Sequence, residues 1–169
     1  FTAVTLKPAG YPLVVPDKSQ VAPIIVREKN LILKKSLDNL VMPYRAMVKM
    51  DPSNTEARMQ VAIIYARHGL YSAAEKEFDA ILDLSPDNSA VYNNRGNIYF
   101  NKKDFERAIE SYAYAEQLAS SDAGVKMNLS MAHYKLGDLQ MANGKYREAK
   151  RIDGSVNKKY AGFIKLLNQ

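Results

Sequence analysis

The chain contains no cysteine. Disulfides, thiolate nucleophiles and zinc–thiolate sites are therefore excluded. Histidine occurs twice, as His68 and His133, and no glycine-rich phosphate loop, HExxH or GxSxG pattern is present. No catalytic residue, no cofactor and no metal is expected. No apolar run approaches the roughly 18 residues that a membrane-spanning helix needs. No secretory signal is visible, and the chain begins at Phe1 rather than Met. That start fits a processed product or a part of a longer polypeptide. A soluble chain without cysteine suits the cytosol and the periplasm equally, so the compartment stays open. The net charge of +6 is uneven: residues 1–54 carry +4, residues 55–122 carry −4 and residues 123–169 carry +6. Mixed-sign solvated helix faces account for most of this, and the basic end suits an acidic partner surface.

What the chain does contain is a recurring order of small and large residues. Ser89–Asp122 reads as two amphipathic helical segments around a polar turn at Asn101–Asp104. Gly96, Ala108 and Ala115 are small where two helices would touch, and Tyr92, Tyr99, Phe105 and Tyr112 fill the space between. A shift of about 34 residues, a known helical-repeat period, reproduces the order. Shifted back, Gly96 falls on Ala62, Ala108 on Ala74, Tyr99 on Tyr65, Phe105 on Tyr71 and Tyr112 on Phe78. Shifted forward, the same slots hold Ser130, Ala142, His133, Leu139 and Tyr146. Three registers agree without a gap, and chance rarely preserves small and large slots together.

At these residues the chain resembles the tetratricopeptide-repeat family. Ala62, Tyr65, Gly69, Tyr71, Ala74, Phe78 and Pro86 carry the likeness in the first repeat. Tyr92, Gly96, Tyr99, Phe105, Ala108, Tyr112 and Ala115 carry it in the second, and Leu129, Gly137, Ala142, Tyr146 and Ala149 in the third. Arg95 stands where Leu is usual, Lys103 where Gly is usual, and Ser120 and Gly154 where Pro is usual. The resemblance implies an all-α right-handed helical solenoid of about three helix-turn-helix repeats, with a C-terminal capping helix and an extended N-terminal arm.

Taken in order, residues 1–27 are broken by Pro8, Pro12, Pro16 and Pro23, which lack the amide proton that helices and central strands use. An extended arm or linker is expected there, with a short strand at Leu13–Val15 or Ile24–Val26. Residues 28–54 carry one apolar stripe through Leu37, Leu40, Tyr44 and Met47 and read as a leading half-repeat, kinked near Asn39 by Pro43. The repeats are expected at residues 55–88, 89–122 and 123–156. Asn54, Asp104 and Asp138 are expected as helix N-caps, and Gly69 and Gly137 as turn residues. Gly144 suggests a close backbone approach. His133 occupies a packing slot, and His68 is placed to cap a helix end. Residues 157–169 form the capping helix, without which the apolar face of the third repeat would meet water.

In the family, first helices line the concave face, which holds an extended peptide or a partner helix. The resemblance thus implies partner-binding positions at Met59, Ile63 and Arg67, at Asn93, Asn94, Asn97, Phe100 and Asn101, and at Met127, Met131, Tyr134 and Lys135. Asn93, Asn97 and Asn101 stand at i, i+4 and i+8, one ladder of carboxamides that both donate and accept hydrogen bonds. The same ladder would also serve to solvate a groove or bridge neighbouring helices. The methionines suit adaptable apolar contact or the core. Met59, Ile63 and Gly124 stand where a clamp for acidic chaperone tails would need polar or basic groups, so that ligand is not expected.

The leading expectation is a non-enzymatic protein-interaction module, its occupant being a protein or peptide, its own arm or a second copy. The alternatives are a C-terminal interaction domain of a larger enzyme, and a nucleic-acid-binding protein using Lys145, Arg147, Lys150, Arg151, Lys158 and Lys159. The last is disfavoured, because only Tyr146 and Tyr160 interleave that basic stretch and both sit at core slots.

Overall fold

A computed structural model describes the backbone of residues 18–168 and the side chains of residues 34–168. Every element among them is a helix. The chain divides between Asn39 and Leu40 into two units. The first helix, α1 (Lys18–Met50), runs through that boundary. Helix therefore begins ten residues before the expected start at Glu28, and the strand considered at Ile24–Val26 does not form. Pro23 lies close to the helix start and forfeits a single backbone bond, which a helix of 33 residues absorbs. Leu13–Val15 and the rest of the expected arm up to Asp17 lie outside the described residues.

Three helix pairs form the body of the second unit: α2 (Thr55–Arg67) with α3 (Tyr71–Leu84), α4 (Ser89–Asn101) with α5 (Phe105–Leu118), and α6 (Ala123–Lys135) with α7 (Leu139–Ile152). All of these helices but α3 start at a side chain that satisfies free amides of the first turn. Asn54 accepts from the Ala57 amide at 2.8 Å, Asn88 from Val91 at 3.3 Å and Asp122 from Val125 at 3.1 Å. Asp104 and Asp138 do the same for Arg107 at 3.3 Å and Met141 at 3.0 Å. The turn between paired helices needs a left-handed residue. Gly69 and Gly137 supply it at φ of 74° and 82°, while Lys103 adopts φ of 63° in the same slot despite its Cβ.

The helix pairs close on the small and large slots. Ala62, Ala74 and Phe78 are fully buried in the first pair. In the second, a Cβ at Gly96 would lie 2.4 Å from two ring carbons of Tyr112, so only glycine admits this approach. In the third, Ser130 donates its hydroxyl to the Ala142 carbonyl at 2.7 Å. Gly144, by contrast, has no heavy atom within 4 Å of where its Cβ would stand, so the expected close approach is absent there.

Polar ties join the pairs along the array. Arg95, in a slot filled by buried Val61 and Leu129 in the other repeats, reaches from α4 back to α3 and pairs with Glu75 at 2.8 Å and with Asp79. Lys126 of α6 pairs with Glu116 of α5 and with Glu148 of α7 at 2.8 Å, and Lys145 joins Glu116 at 2.7 Å. Burial pushes the Glu116 carboxyl up, but hydrogen bonds from Lys126 and Lys145 outweigh it and hold it below the usual 4.5. The hydrogen bond from Lys126 lowers Glu148 likewise.

The C-terminal cap, expected as one helix, consists of two: α8 (Val156–Lys159) and α9 (Ala161–Leu167). Tyr160, at φ of −114° and ψ of 24°, breaks the stripe. Val156 is buried with Met127 and Ala149, while Tyr160 and Phe163 pack against that cluster. The break lets Phe163 meet the Tyr134 ring edge-on, with centroids 5.5 Å apart.

Gly96→Ala should lower the unfolding free energy by about 1–3 kcal/mol, because the added methyl overpacks a buried ring and the gain in helix propensity offsets only part of that; denaturant titration measures it, and an unchanged midpoint refutes the contact. Lys103→Gly should raise it by roughly 0.5–1 kcal/mol by relieving the left-handed backbone, less the extra freedom glycine has when unfolded. Carboxyls with a lowered folded pKa stabilise above their unfolded value and lose that contribution as pH falls through the folded one. Glu116→Gln should therefore be less stable than the parent at neutral pH, with the gap closing as pH falls below about 4.5. A gap that stays constant down to about pH 3 would show that the cluster contributes nothing through charge.

Candidate functional site

The first helices α2, α4 and α6 lie side by side in sequence order. Between them opens a cleft of about 320 Å³. Seven of the residues expected to bind a partner line it together: Ile63, Arg67, Asn94, Asn97, Phe100, Asn101 and Met131. Ala66, Ile98, Tyr112 and Asn128 complete the lining. Ile63, Phe100 and Met131 make the accessible apolar part over buried Ile98, and Phe100 is steadied by Phe105 with ring centroids 5.3 Å apart. Arg67 and Asn101 are exposed at the ends of their helices.

The remaining expected positions fall elsewhere. Met127 is fully buried with Ala149 and Val156, so it belongs to the core and offers nothing to a partner. Met59 is 8% exposed, and its sulfur takes a hydrogen bond from Asn94 Nδ2 at 3.5 Å. Tyr134 is occupied by Phe163 of the cap. Lys135 is exposed beyond the cleft, and Asn93 is half-buried beside it. The slots of Met59 and Met127 lie at the helix–helix seams, which spacing along one helix does not distinguish from the groove.

The carboxamides do not stand as an independent ladder. Asn94 Nδ2 donates to the Ala90 carbonyl at 2.9 Å, and Asn97 Nδ2 to Asn94 Oδ1 at 3.4 Å. The Tyr112 hydroxyl donates to Asn97 Oδ1 at 2.8 Å. Asn128 of α6 donates to Asn93 Oδ1 at 2.8 Å and to Asn97 Oδ1 at 3.5 Å. The network thus bridges α4 to α5 and α6 and also forms one wall of the cleft. Asn128 was not among the expected residues, yet it stands one period after Asn94 and two after Gln60, three carboxamides in one slot. Tyr112 was assigned to the core alone, and its burial agrees, but its hydroxyl emerges at the cleft. Burial pushes this phenol far above its usual pKa, so the hydroxyl stays a donor.

Of the basic residues at the C-terminal end, Lys145 is tied into the body, while Arg147, Lys150, Arg151, Lys158 and Lys159 are exposed. Lys145 is held by Glu116, and the Tyr146 hydroxyl donates to Asn157 at 2.8 Å. His68 closes α2 as its C-terminal cap residue. His133 packs half-buried, with Nδ1 3.6 Å from Asp138. Among the described residues, no group of three potential metal ligands comes together, and no helix is long and apolar enough to cross a membrane.

The tetratricopeptide-repeat family model matches residues 44–89 and 62–123. A stretch of 89 residues is 30% identical to protein O-mannosyl-transferase TMTC3 of Homo sapiens, covering 52% of this chain and 10% of that protein. The BBSome complex member BBS4 of Bos taurus is 24% identical in an alignment that covers 64% of this chain and 28% of that protein. The chain therefore spans only a small part of these relatives. Among solved structures, MamA aligns with a TM-score of 0.61 at 21% identity, over 76% of this chain and 75% of its own. PilF of Pseudomonas aeruginosa aligns with a TM-score of 0.63 at 20% identity, over 75% of this chain and 58% of its own. At such identities these two likenesses establish the fold.

Proposed function

Because the chain is a tetratricopeptide-repeat protein, we propose that it is a non-enzymatic interaction module that holds an extended peptide segment across the cleft between α2, α4 and α6. Tetratricopeptide arrays serve as protein-interaction scaffolds, and the finer reading is carried by one observation. The cleft joins apolar Ile63, Phe100 and Met131 to a wall of carboxamides. An extended peptide presents that pairing of needs, an apolar side chain beside backbone groups that both donate and accept. Arg67 at the rim favours an acidic residue next to the apolar one. A partner helix satisfies its own backbone internally and would leave the carboxamides idle, which makes it the lesser fit.

In this reading the chain performs no catalytic step. The likeness to a segment of an O-mannosyl-transferase fits a second reading, an interaction part of a larger enzyme, in which the cleft keeps the same role.

Selection of displayed random linear peptides on the full chain, followed by calorimetry, tests the cleft. Phe100→Ala and Met131→Ala should each weaken the selected peptides about tenfold, as loss of a central apolar contact does. Glu110→Ala, exposed on α5, should leave affinity unchanged. Peptides insensitive to both cleft substitutions would overturn the assignment.

A further inference from the structure

The core slot that Tyr112 fills does not require a hydroxyl. Phe78 fills it one repeat earlier and is fully buried. Tyr112 is equally enclosed, yet its hydroxyl crosses to α4 and donates to Asn97 Oδ1 at 2.8 Å. The direction of the whole network follows from one group that can only accept. The Ala90 carbonyl takes Asn94 Nδ2 at 2.9 Å, which turns Asn94 Oδ1 towards Asn97. Asn97 must then offer its nitrogen to Asn94 and its oxygen to Tyr112. Asn128 adds a second, longer donor to that oxygen at 3.5 Å. Two groups on the cleft wall keep capacity to spare. The Asn97 amide has a second N–H, and Asn128 Oδ1 accepts nothing among the described residues.

We propose that Tyr112 is a positioning residue for partner binding: its hydroxyl helps to hold the Asn97 carboxamide so that Asn97 presents an N–H donor and Asn128 an acceptor to the backbone C=O and N–H of one residue of the bound segment, which face the same side of an extended chain. This rests on the peptide-binding reading of the cleft. Without the hydroxyl, Asn97 is held only by its two long contacts, to Asn94 Oδ1 at 3.4 Å and from Asn128 at 3.5 Å, and the carboxamide is less firmly fixed. The donor and acceptor are then held less firmly, and the cleft grips the two backbone groups of that residue less well.

The test uses the labelled full chain, titrated with N-acetyl-L-leucine N-methylamide, one apolar residue between two peptide groups. In the parent, the side-chain amide signals of Asn97 and Asn128 and the Met131 methyl should shift together. Tyr112→Phe keeps a side chain that the first repeat accepts in the same slot. Its Met131 methyl should still respond, while the Asn97 and Asn128 responses shrink and the affinity falls about threefold to tenfold, the loss of one hydrogen bond. Asn97→Asp retains an acceptor for Tyr112 but has no N–H to offer, and should lose affinity to the same extent. Parent-like amide responses and affinity in Tyr112→Phe would overturn the positioning role and leave the cleft reading standing. No response of any cleft signal in the parent would overturn both.

Discussion

The Tyr112 ring occupies the space that a side chain at position 96 would need. Because Gly96 has none, α4 and α5 approach closely enough to seal Tyr112 from water, and the hydroxyl arrives beside Asn97, the next residue along α4. One steric fact therefore sets both the spacing of the central helix pair and the polarity of the cleft it helps to line. The other pairs solve the same problem with different atoms. In the same slots the first pair buries Ala62 and Phe78, and in the third Ser130 spends its hydroxyl on a backbone carbonyl. Only the central pair combines a glycine with a tyrosine, and there the core and the cleft share a side chain.

The repeats are alike in packing and unlike in their polar ties. One slot on the first helices holds Arg58, Tyr92 and Lys126. Arg58 pairs with Glu77 at 3.1 Å, Tyr92 packs edge-on against Tyr114 at 4.4 Å, and Lys126 is held between Glu116 and Glu148. A slip of the array by one repeat would bring Tyr92 to the carboxylates and leave Lys126, nearly buried, against a tyrosine ring. An uncompensated buried charge is costly, so these ties select one register even though small and large slots would fit several. Arg95 works in the same way, trading a buried apolar slot for a bridge to α3.

The cleft inherits this division of labour. Its carboxamides are mostly engaged with one another and with neighbouring helices, which holds the wall in place. Preorganised polar groups lose less freedom on binding than side chains that must be gathered from solvent. The apolar residues beside them belong to helices whose far faces are core, so the surface is rigid on both counts.

The sequence alone determined the number of helix pairs, the caps at Asn54, Asp104 and Asp138 and the left-handed turns at Gly69 and Gly137. These follow from local rules: amide groups at a helix start need an acceptor, and a Cβ disfavours positive φ. The helix through Pro23 and the broken cap at Tyr160 escaped that reasoning, because one local signal was weighed against a tertiary balance it does not contain. The concave face was legible as a set of slots. Which slot faces the groove and which the seam depends on the angle between neighbouring helices, and so Met127 proved to be core while Asn128 proved to be wall. The orientation of each carboxamide was decided by tertiary structure alone, since it depends on partners one helix away: the Tyr112 hydroxyl across the pair and Asn128 across the repeat.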